Sequence, residues 1–481
     1  MTLDLNLQAL LPEIFVAAVT AALTLLEIFL PGWSRRNVNR LNFLGLGLVA
    51  ISLLSVWGRQ ETAFGGSFAL DPFSLFFKFL FLGSAAVVLV MKKNERAPCQ
   101  PPLDPPGPEF HLLLWSALLG LFFLVSAKDF LLFFISLELL TLSLYILAAY
   151  TKKDPRSVEA GLKYLILGSL ASAFLLYGIS LIYADLGTLS FDALGARLRE
   201  GGEVSWIFLA GSLLVISALG FKVAAVPFQA WVPDVYEGAP TPVVAFLSVA
   251  SKSAGFAALL RILFGVLGPL EAERQALFPL FAALTLLYGN LGALVQTKMK
   301  RLLGFSSIGH AGFLLVALAS HDVLGSEALL YYLIAYAVTN LAAFLVVSIV
   351  EISEGETLEA YRGLYQRSPV LAAGLFLAFL SLAGVPPLGG FFAKFLVLLA
   401  AAKSHLFWLV FLGAVNVAVS LYYYLNVIRL VYFEKPVTES PVALSLPSRC
   451  LLIGLMAAIV IVGLWQAPFL SLASLASSSL F

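Results

Sequence analysis

Some fourteen apolar stretches, each long enough for a helix to cross a bilayer, follow one another along nearly the whole chain: 10–30, 41–58, 70–91, 111–127, 129–150, 158–184, 205–226, 243–266, 275–296, 301–319, 326–351, 370–402, 405–432 and 449–468. A spanning helix needs about 20 predominantly apolar residues. Inside hydrocarbon every backbone N–H and C=O has to be satisfied within the protein, which leaves helices and closed barrels. A barrel strand needs only about 9–11 residues and alternates in polarity, so continuous runs of this length are helical. Only 12% of the 481 residues are charged, against about 25% in a soluble domain. The chain therefore reads as an all-α polytopic membrane protein with about fourteen spanning helices. The stretch 10–30 has neither a basic segment before it nor an Ala-x-Ala site after it, so it is expected to stay as a helix rather than be cleaved.

The distribution of charge sets an orientation. Connections after odd-numbered stretches carry Arg35, Arg36, Arg40, Lys92, Lys93, Arg96, Lys152, Lys153, Arg156, Lys298, Lys300, Arg301, Arg362, Arg367, Arg429, Lys435 and Arg449. Those after even-numbered stretches carry Arg59, Lys128, Arg197, Arg199, Arg274 and Lys403. Basic residues gather on the cytoplasmic side, so both termini are expected on the opposite, periplasmic face of a bacterial inner membrane. The connection after the seventh stretch departs from the pattern, with Asp234 and Glu237 but no base. Cys99 and Cys450 fall on the cytoplasmic side, where no disulfide is expected. A net charge of +1 gives no reason to expect a nucleic acid. The four histidines are scattered, and no motif for a metal cluster, nucleotide or flavin is present, so no cofactor is expected in this chain.

Two stretches combine a proline break with a lysine. Lys222 lies in Leu219-Gly220-Phe221-Lys222-Val223-Ala224-Ala225-Val226-Pro227, with Pro233 shortly after. Lys394 ends Gly384-Val385-Pro386-Pro387-Leu388-Gly389-Gly390-Phe391-Phe392-Ala393-Lys394. An ammonium at mid-depth costs roughly 2.5–3.5 kcal/mol on insertion scales. Irregular backbone at that depth is tolerated only where protein or a wet cavity satisfies it. Breaks at Pro227, Pro233, Pro386 and Pro387 beside such lysines mark a path for ions or protons. Each break falls in the fourth helix of a five-helix unit, one over 111–266 and one over 275–432. Five helices per unit would set the second upside down relative to the first, the inverted-repeat plan of transporters. Residues 1–110, three helices and the proline-rich linker 97–108, and residues 433–481, with one helix, flank the units. The polar stretch 185–204 leaves room for one short helix on the non-cytoplasmic side.

Other charges within the stretches have to be weighed against plain structural roles. Glu138 sits midway through 129–150, where a lone carboxyl needs a partner or a proton. Burial disfavours an ammonium and an approaching carboxylate favours it, so Lys222 facing a movable Glu138 can load and release a proton; a permanent ion pair is the bland alternative. Lys252, in Ser251-Lys252-Ser253-Ala254-Gly255, has small neighbours that permit close packing and serines that can hold water. His310 lies about ten residues into 301–319 and titrates near neutrality, as a relay between the lysines would. Lys163, one turn after Glu159 and able to pair with it, joins the candidates for proton translocation, with snorkelling as the plain alternative. Lys78, Arg261 and Glu27 lie within a few turns of helix ends, where snorkelling to the headgroups is expected. Asp71 and Asp129 begin helices, where capping suffices.

The segment Phe228-Gln229-Ala230-Trp231-Val232-Pro233-Asp234-Val235-Tyr236-Glu237-Gly238-Ala239-Pro240-Thr241-Pro242-Val243 resembles the signature of the antiporter-like subunits of complex I. Ala250-Ser251-Lys252, Ser306-Ser307-Ile308-Gly309-His310 and Gly384-Val385-Pro386-Pro387-Leu388-Gly389-Gly390-Phe391 extend the likeness over roughly residues 110–430. Lys394 stands where one branch of that family would carry a glutamate, and the long lateral helix of another branch is not seen. The resemblance implies a proton-translocating membrane-arm subunit with fourteen helices and no redox centre of its own. Its partners would be the other membrane-arm subunits and the bilayer, with NADH and quinone handled elsewhere in the complex. On the motif match, Glu138 corresponds to the family's glutamate paired with Lys222, Lys252 to the connecting lysine and Lys394 to the second broken-helix lysine. His310 and Lys163 match less distinctive positions.

Two rival functions share part of this pattern. A Mrp-type Na⁺/H⁺ antiporter subunit carries the same broken-helix signature, and a neighbouring gene for a small antiporter subunit, rather than for an iron–sulfur hydrogenase-like one, would favour it. A structural spacer that has lost transport would have no need of so many intramembrane charges.

Overall fold

The computed structural model describes residues 6–94, 109–200, 204–268 and 271–480. The linker 97–108 and Cys99 lie outside them. Helices α1 (Leu11–Phe29), α2 (Pro31–Ser55) and α3 (Pro72–Asn94) come first, with a short hairpin, β1 (Glu61–Ala63) and β2 (Phe68–Leu70), between α2 and α3. Then follow α4 (Glu109–Ser126), α5 (Phe130–Ala148), α6 (Pro155–Leu186), the short α7 (Phe191–Arg199), α8 (Trp206–Val223) and α9 (Trp231–Gly238). Next, α10 (Thr241–Phe246) runs through a π-helical turn at Leu247–Ser251 into α11 (Lys252–Gly265). The rest of the chain forms α12 (Glu271–Ala293), α13 (Met299–Ala319), α14 (Val323–Glu354), α15 (Leu364–Arg367), α16 (Pro369–Ala383), α17 (Gly389–Lys403), α18 (Phe407–Phe433), α19 (Leu446–Leu464) and α20 (Ala467–Ser478).

Among the described residues, 13 helical spans are long and apolar enough to cross a membrane, making this a multi-pass membrane protein. The remaining expected span, 370–402, is the discontinuous pair α16 and α17. The hairpin is a small departure from an all-helical chain, and α7 fills the polar stretch 185–204 as expected. The α10–α11 span and α13 are buried throughout and α14 nearly so, whereas α1, α6 and α18 turn most of their apolar surface outward. A helix apolar all round is buried within a large membrane protein or faces lipid. The lysines Lys252 and Lys394 and His310 all lie on or against the buried set, since α17 packs on both α13 and α14.

Two expectations about charge are corrected. Lys78 does not snorkel: its side chain is fully buried and its ammonium is 2.6 Å from Glu13 on α1. Arg261 is buried as well, donating to both carboxylate oxygens of Asp71 at 2.9 Å and to the Val125 carbonyl at 2.7 Å. A helix-end position on the chain does not take a side chain to the headgroups when another helix covers it. Asp71 still caps, accepting from Ser74 N at 2.7 Å, and Asp129 accepts from Leu132 N at 2.7 Å. Glu27 is half-buried.

Candidate functional site

The two breaks are built alike. Both α8 and α16 end with a residue in the left-handed conformation, Ala224 (φ 65°) and Gly384 (φ 88°). Past it, the Ala225 N–H returns to the Gly220 carbonyl at 2.8 Å, and the Val385 N–H to the Leu380 carbonyl at 3.0 Å. This closed turn meets part of the demand of a helix C-terminus. Pro227 lies in the first gap, Pro386 and Pro387 in the second. Pro233 lies instead in the first turn of α9, where N–H groups have no intrahelical partner in any case.

Side chains satisfy the backbone that remains. Thr285 of α12 accepts from Val226 N at 3.0 Å, and the Trp231 indole donates to the Phe221 carbonyl at 3.0 Å. In the second break Ser381 Oγ accepts from Gly390 N at 3.1 Å. The Lys394 ammonium donates to the Leu382 and Ala383 carbonyls at 2.7 and 3.0 Å, with Ser420 Oγ at 3.4 Å. Those carbonyls end α16, the negative end of its dipole, so a cation suits the place. Trp231 thus does in the first break what Lys394 does in the second, which leaves the first lysine free. Lys222 Nζ is buried with no hydrogen-bond partner among the described residues. The field of the Glu138 carboxylate reaches it, but that carboxylate accepts from Ser172 at 2.6 Å.

Between the breaks runs a row of polar groups. Lys222 packs against Gly255 of α11, one turn beyond Lys252. The Lys252 ammonium donates to the Ser307 carbonyl at 2.6 Å and bonds the Ser307 hydroxyl, which also joins Tyr336 at 3.0 Å and Tyr236 at 3.2 Å. The neighbouring Ser306 hydroxyl bonds Tyr424, whose hydroxyl shares a 3.3 Å bond with His310 Nε2. His310 Nδ1 meets the Tyr332 hydroxyl at 2.6 Å. A small cavity touches His310, Tyr332, Tyr336 and Leu382, so it opens from the histidine toward the carbonyl that holds Lys394. Lys252 follows directly on the π-helical turn, a local irregularity frequent at functional sites.

The sixth candidate, Lys163, stands apart. Its side chain is 43% exposed, at 2.8 Å from both Glu159, as the spacing suggested, and Asp234 of α9. Arg301 of α13 reaches Asp234 and Glu237 at 2.9 Å each, and Lys298 reaches Glu237 at 2.6 Å. These contacts account for the two acids that departed from the charge pattern, because their bases come from α6 and α13. They tie the short helix α9 to two others. The sequence reading missed Tyr236, Ser307, Tyr332, Tyr336 and Tyr424, since tyrosine and serine in apolar helices carry no distinguishing signal. Among the described residues, no group of three His, Cys, Asp or Glu gathers as metal ligands would.

The chain as a whole resembles known proteins. A family model described as NADH:quinone oxidoreductase/Mrp antiporter, transmembrane, matches residues 127–420. NADH-quinone oxidoreductase subunit N of Paramagnetospirillum magneticum is 40% identical, with 99% of this chain and 98% of the relative aligned. A chain of respiratory complex I from Thermus thermophilus, solved with bound aureothin, is 36% identical with a TM-score of 0.82, covering 96% of this chain and 99% of that one. A chain of the Mrp complex from Dietzia sp. has a TM-score of 0.87 over 99% of this chain and 98% of that one, but 21% identity, a likeness of fold alone.

Proposed function

The chain belongs to the NADH:quinone oxidoreductase/Mrp antiporter transmembrane family, and on that premise we propose that it moves protons along its buried row of lysines and hydroxyls. It is a membrane-arm subunit of a proton-translocating NADH–quinone oxidoreductase, one subunit among others of that complex in a membrane. Identity of 40% to a subunit N along nearly the whole chain, against 21% to the Mrp chain, favours this reading over the antiporter one. Within it, Glu138 and Lys222 form a loading pair, Lys252 and His310 carry the proton across the centre, and Lys394 forms the far station. Lys163 acts on α9 through Asp234 rather than as a station in the row. The two broken-helix units, 111–266 and 275–432, would be inverted copies, and no cofactor would reside in this chain.

The observation that carries the reading is the contrast between the two lysines. Among the described residues Lys222 is buried without a hydrogen-bond partner, while the Glu138 carboxylate whose field reaches it accepts from Ser172, an arrangement poised for change. A spacer would have no reason to hold an unpartnered ammonium in the membrane. The test is purification with the native partners. Proteoliposomes of that complex are expected to take up protons on NADH addition, while this chain, separated from its partners, shows no visible chromophore. Co-purification with a small antiporter subunit and Na⁺-dependent transport would favour the Mrp reading instead.

The inner membrane of a bacterium is the expected location, with both termini periplasmic. Reporter fusions at Phe481 are expected to read as periplasmic. A cytoplasmic reading would mean an odd number of spans or the opposite orientation of the whole bundle, against the bias of basic residues.

A further inference from the structure

We propose that the phenol hydroxyls of Tyr145 and Tyr164, with water between them, carry the proton between Glu138 and Lys222. The proposal rests on the proton-path reading above and supplies a link that reading lacks, since the two groups make no direct hydrogen bond. Tyr145 follows Glu138 on α5 by two turns and shares its face. Its hydroxyl lies beside Ser172, the same residue that donates to Glu138. The ring of Tyr164, on α6, stands edge-on to it at 4.8 Å and 90°. On its other side Tyr164 stacks on Trp231 at 4.7 Å and lies 6.2 Å from Phe221, the residue before Lys222. Its hydroxyl lies near Ser251, the residue before Lys252.

Both phenols are buried, and neither hydroxyl makes a well-formed hydrogen bond among the described residues, although Thr141 and Ser172 lie near that of Tyr145 and Ser251 near that of Tyr164. A buried hydroxyl left unpaired is costly, and phenylalanine would supply the same ring packing without that cost. The two rings meet edge to face, and Tyr164 packs on the residue before Lys222, so these phenols and the Lys222 ammonium are buried polar groups close along the bundle that water can satisfy. Gly168 of α6 faces the Tyr145 hydroxyl so closely that any Cβ there would collide with it. The helix thus leaves the phenol its place. Each phenol accepts a proton on one side of its oxygen and releases its own on the other. The transfer leaves no charge behind and needs no co-reactant.

The experiment uses the assembled complex in proteoliposomes. Tyr145→Phe and Tyr164→Phe are each expected to lower NADH-driven proton uptake by at least about tenfold at normal assembly. Replacing either tyrosine by 3,5-difluorotyrosine, which largely keeps the shape and makes the phenol a stronger proton donor, is expected to change the rate of uptake at fixed pH by about twofold or more at normal assembly. A purely structural ring would leave that rate in place. Should a phenylalanine variant fail to assemble, the fluorinated complex still decides. Phenylalanine variants that pump like the parent, or a fluorinated complex with an unchanged uptake rate, overturn the proposal. If Lys222→Ala is inactive while both tyrosine variants pump fully, only the tyrosine link falls; if Lys222→Ala pumps too, the proton-path reading falls with it.

Discussion

Lys222→Ala is expected to remove NADH-driven proton uptake by proteoliposomes of the assembled complex, a loss of at least about 100-fold if the lysine transfers a proton. Lys222→Arg should fail as well, because a guanidinium stays charged and cannot release its proton. Glu138→Gln keeps the shape and the contact with Ser172 but loses the charge that acts on Lys222, so turnover should fall. NADH–quinone activity should drop in parallel, since electron flow and pumping are coupled. The two lysines should part company in assembly. Lys222 has no hydrogen bond to lose, so Lys222→Ala should assemble at least as well as the parent. Lys394→Ala strips the Leu382 and Ala383 carbonyls of their donor, and a buried unpaired acceptor costs about 1–3 kcal/mol. That variant should pump poorly and assemble less stably. Full pumping by assembled Lys222→Ala and Lys394→Ala variants would leave both as structural groups and sink the mechanism.

The spans were legible because bilayer thickness imposes a length that composition then marks. Most expected ends fall within a few residues of the helices. The second is the exception: α2 begins at Pro31, ten residues before the expected 41. Arg35, Arg36 and Arg40 read as a connection, yet a helix can carry such residues through the headgroup region. Both breaks were visible in the prolines, and five of the six candidate residues lie along or beside the buried row. Ion pairing was illegible, because Glu13 with Lys78 and Asp71 with Arg261 join remote parts of the chain. Position along a helix therefore suggested snorkelling where tertiary contact decided otherwise. The reason Lys222 is unpartnered was equally hidden. It depends on Trp231 occupying the carbonyl end of α8, a contact that no spacing rule encodes.

Breaking the Glu13–Lys78 pair from one side is expected to be the most destabilising single change outside the proton path. The two charged groups are 2.6 Å apart and their side chains are essentially inaccessible. Phe68 and Phe122 face the ammonium at 5.1 and 6.0 Å. Removing one member of such a pair leaves the other charge buried and uncompensated, at about 3–5 kcal/mol, whereas replacing both by apolar residues of similar volume is often neutral or better. Lys78→Met alone should therefore lower the temperature or detergent concentration at which the complex loses this subunit. Glu13→Leu combined with Lys78→Met should restore it to the parent value or above. The pair lies outside the row from Glu138 to Lys394, so the double variant should pump at the parent rate. Thermal release of the subunit, followed on native gels, separates the outcomes. A Lys78→Met complex as stable as the parent would mean that water reaches the pair. A double variant that is stable but does not pump would mean that the N-terminal helices belong to the proton path after all.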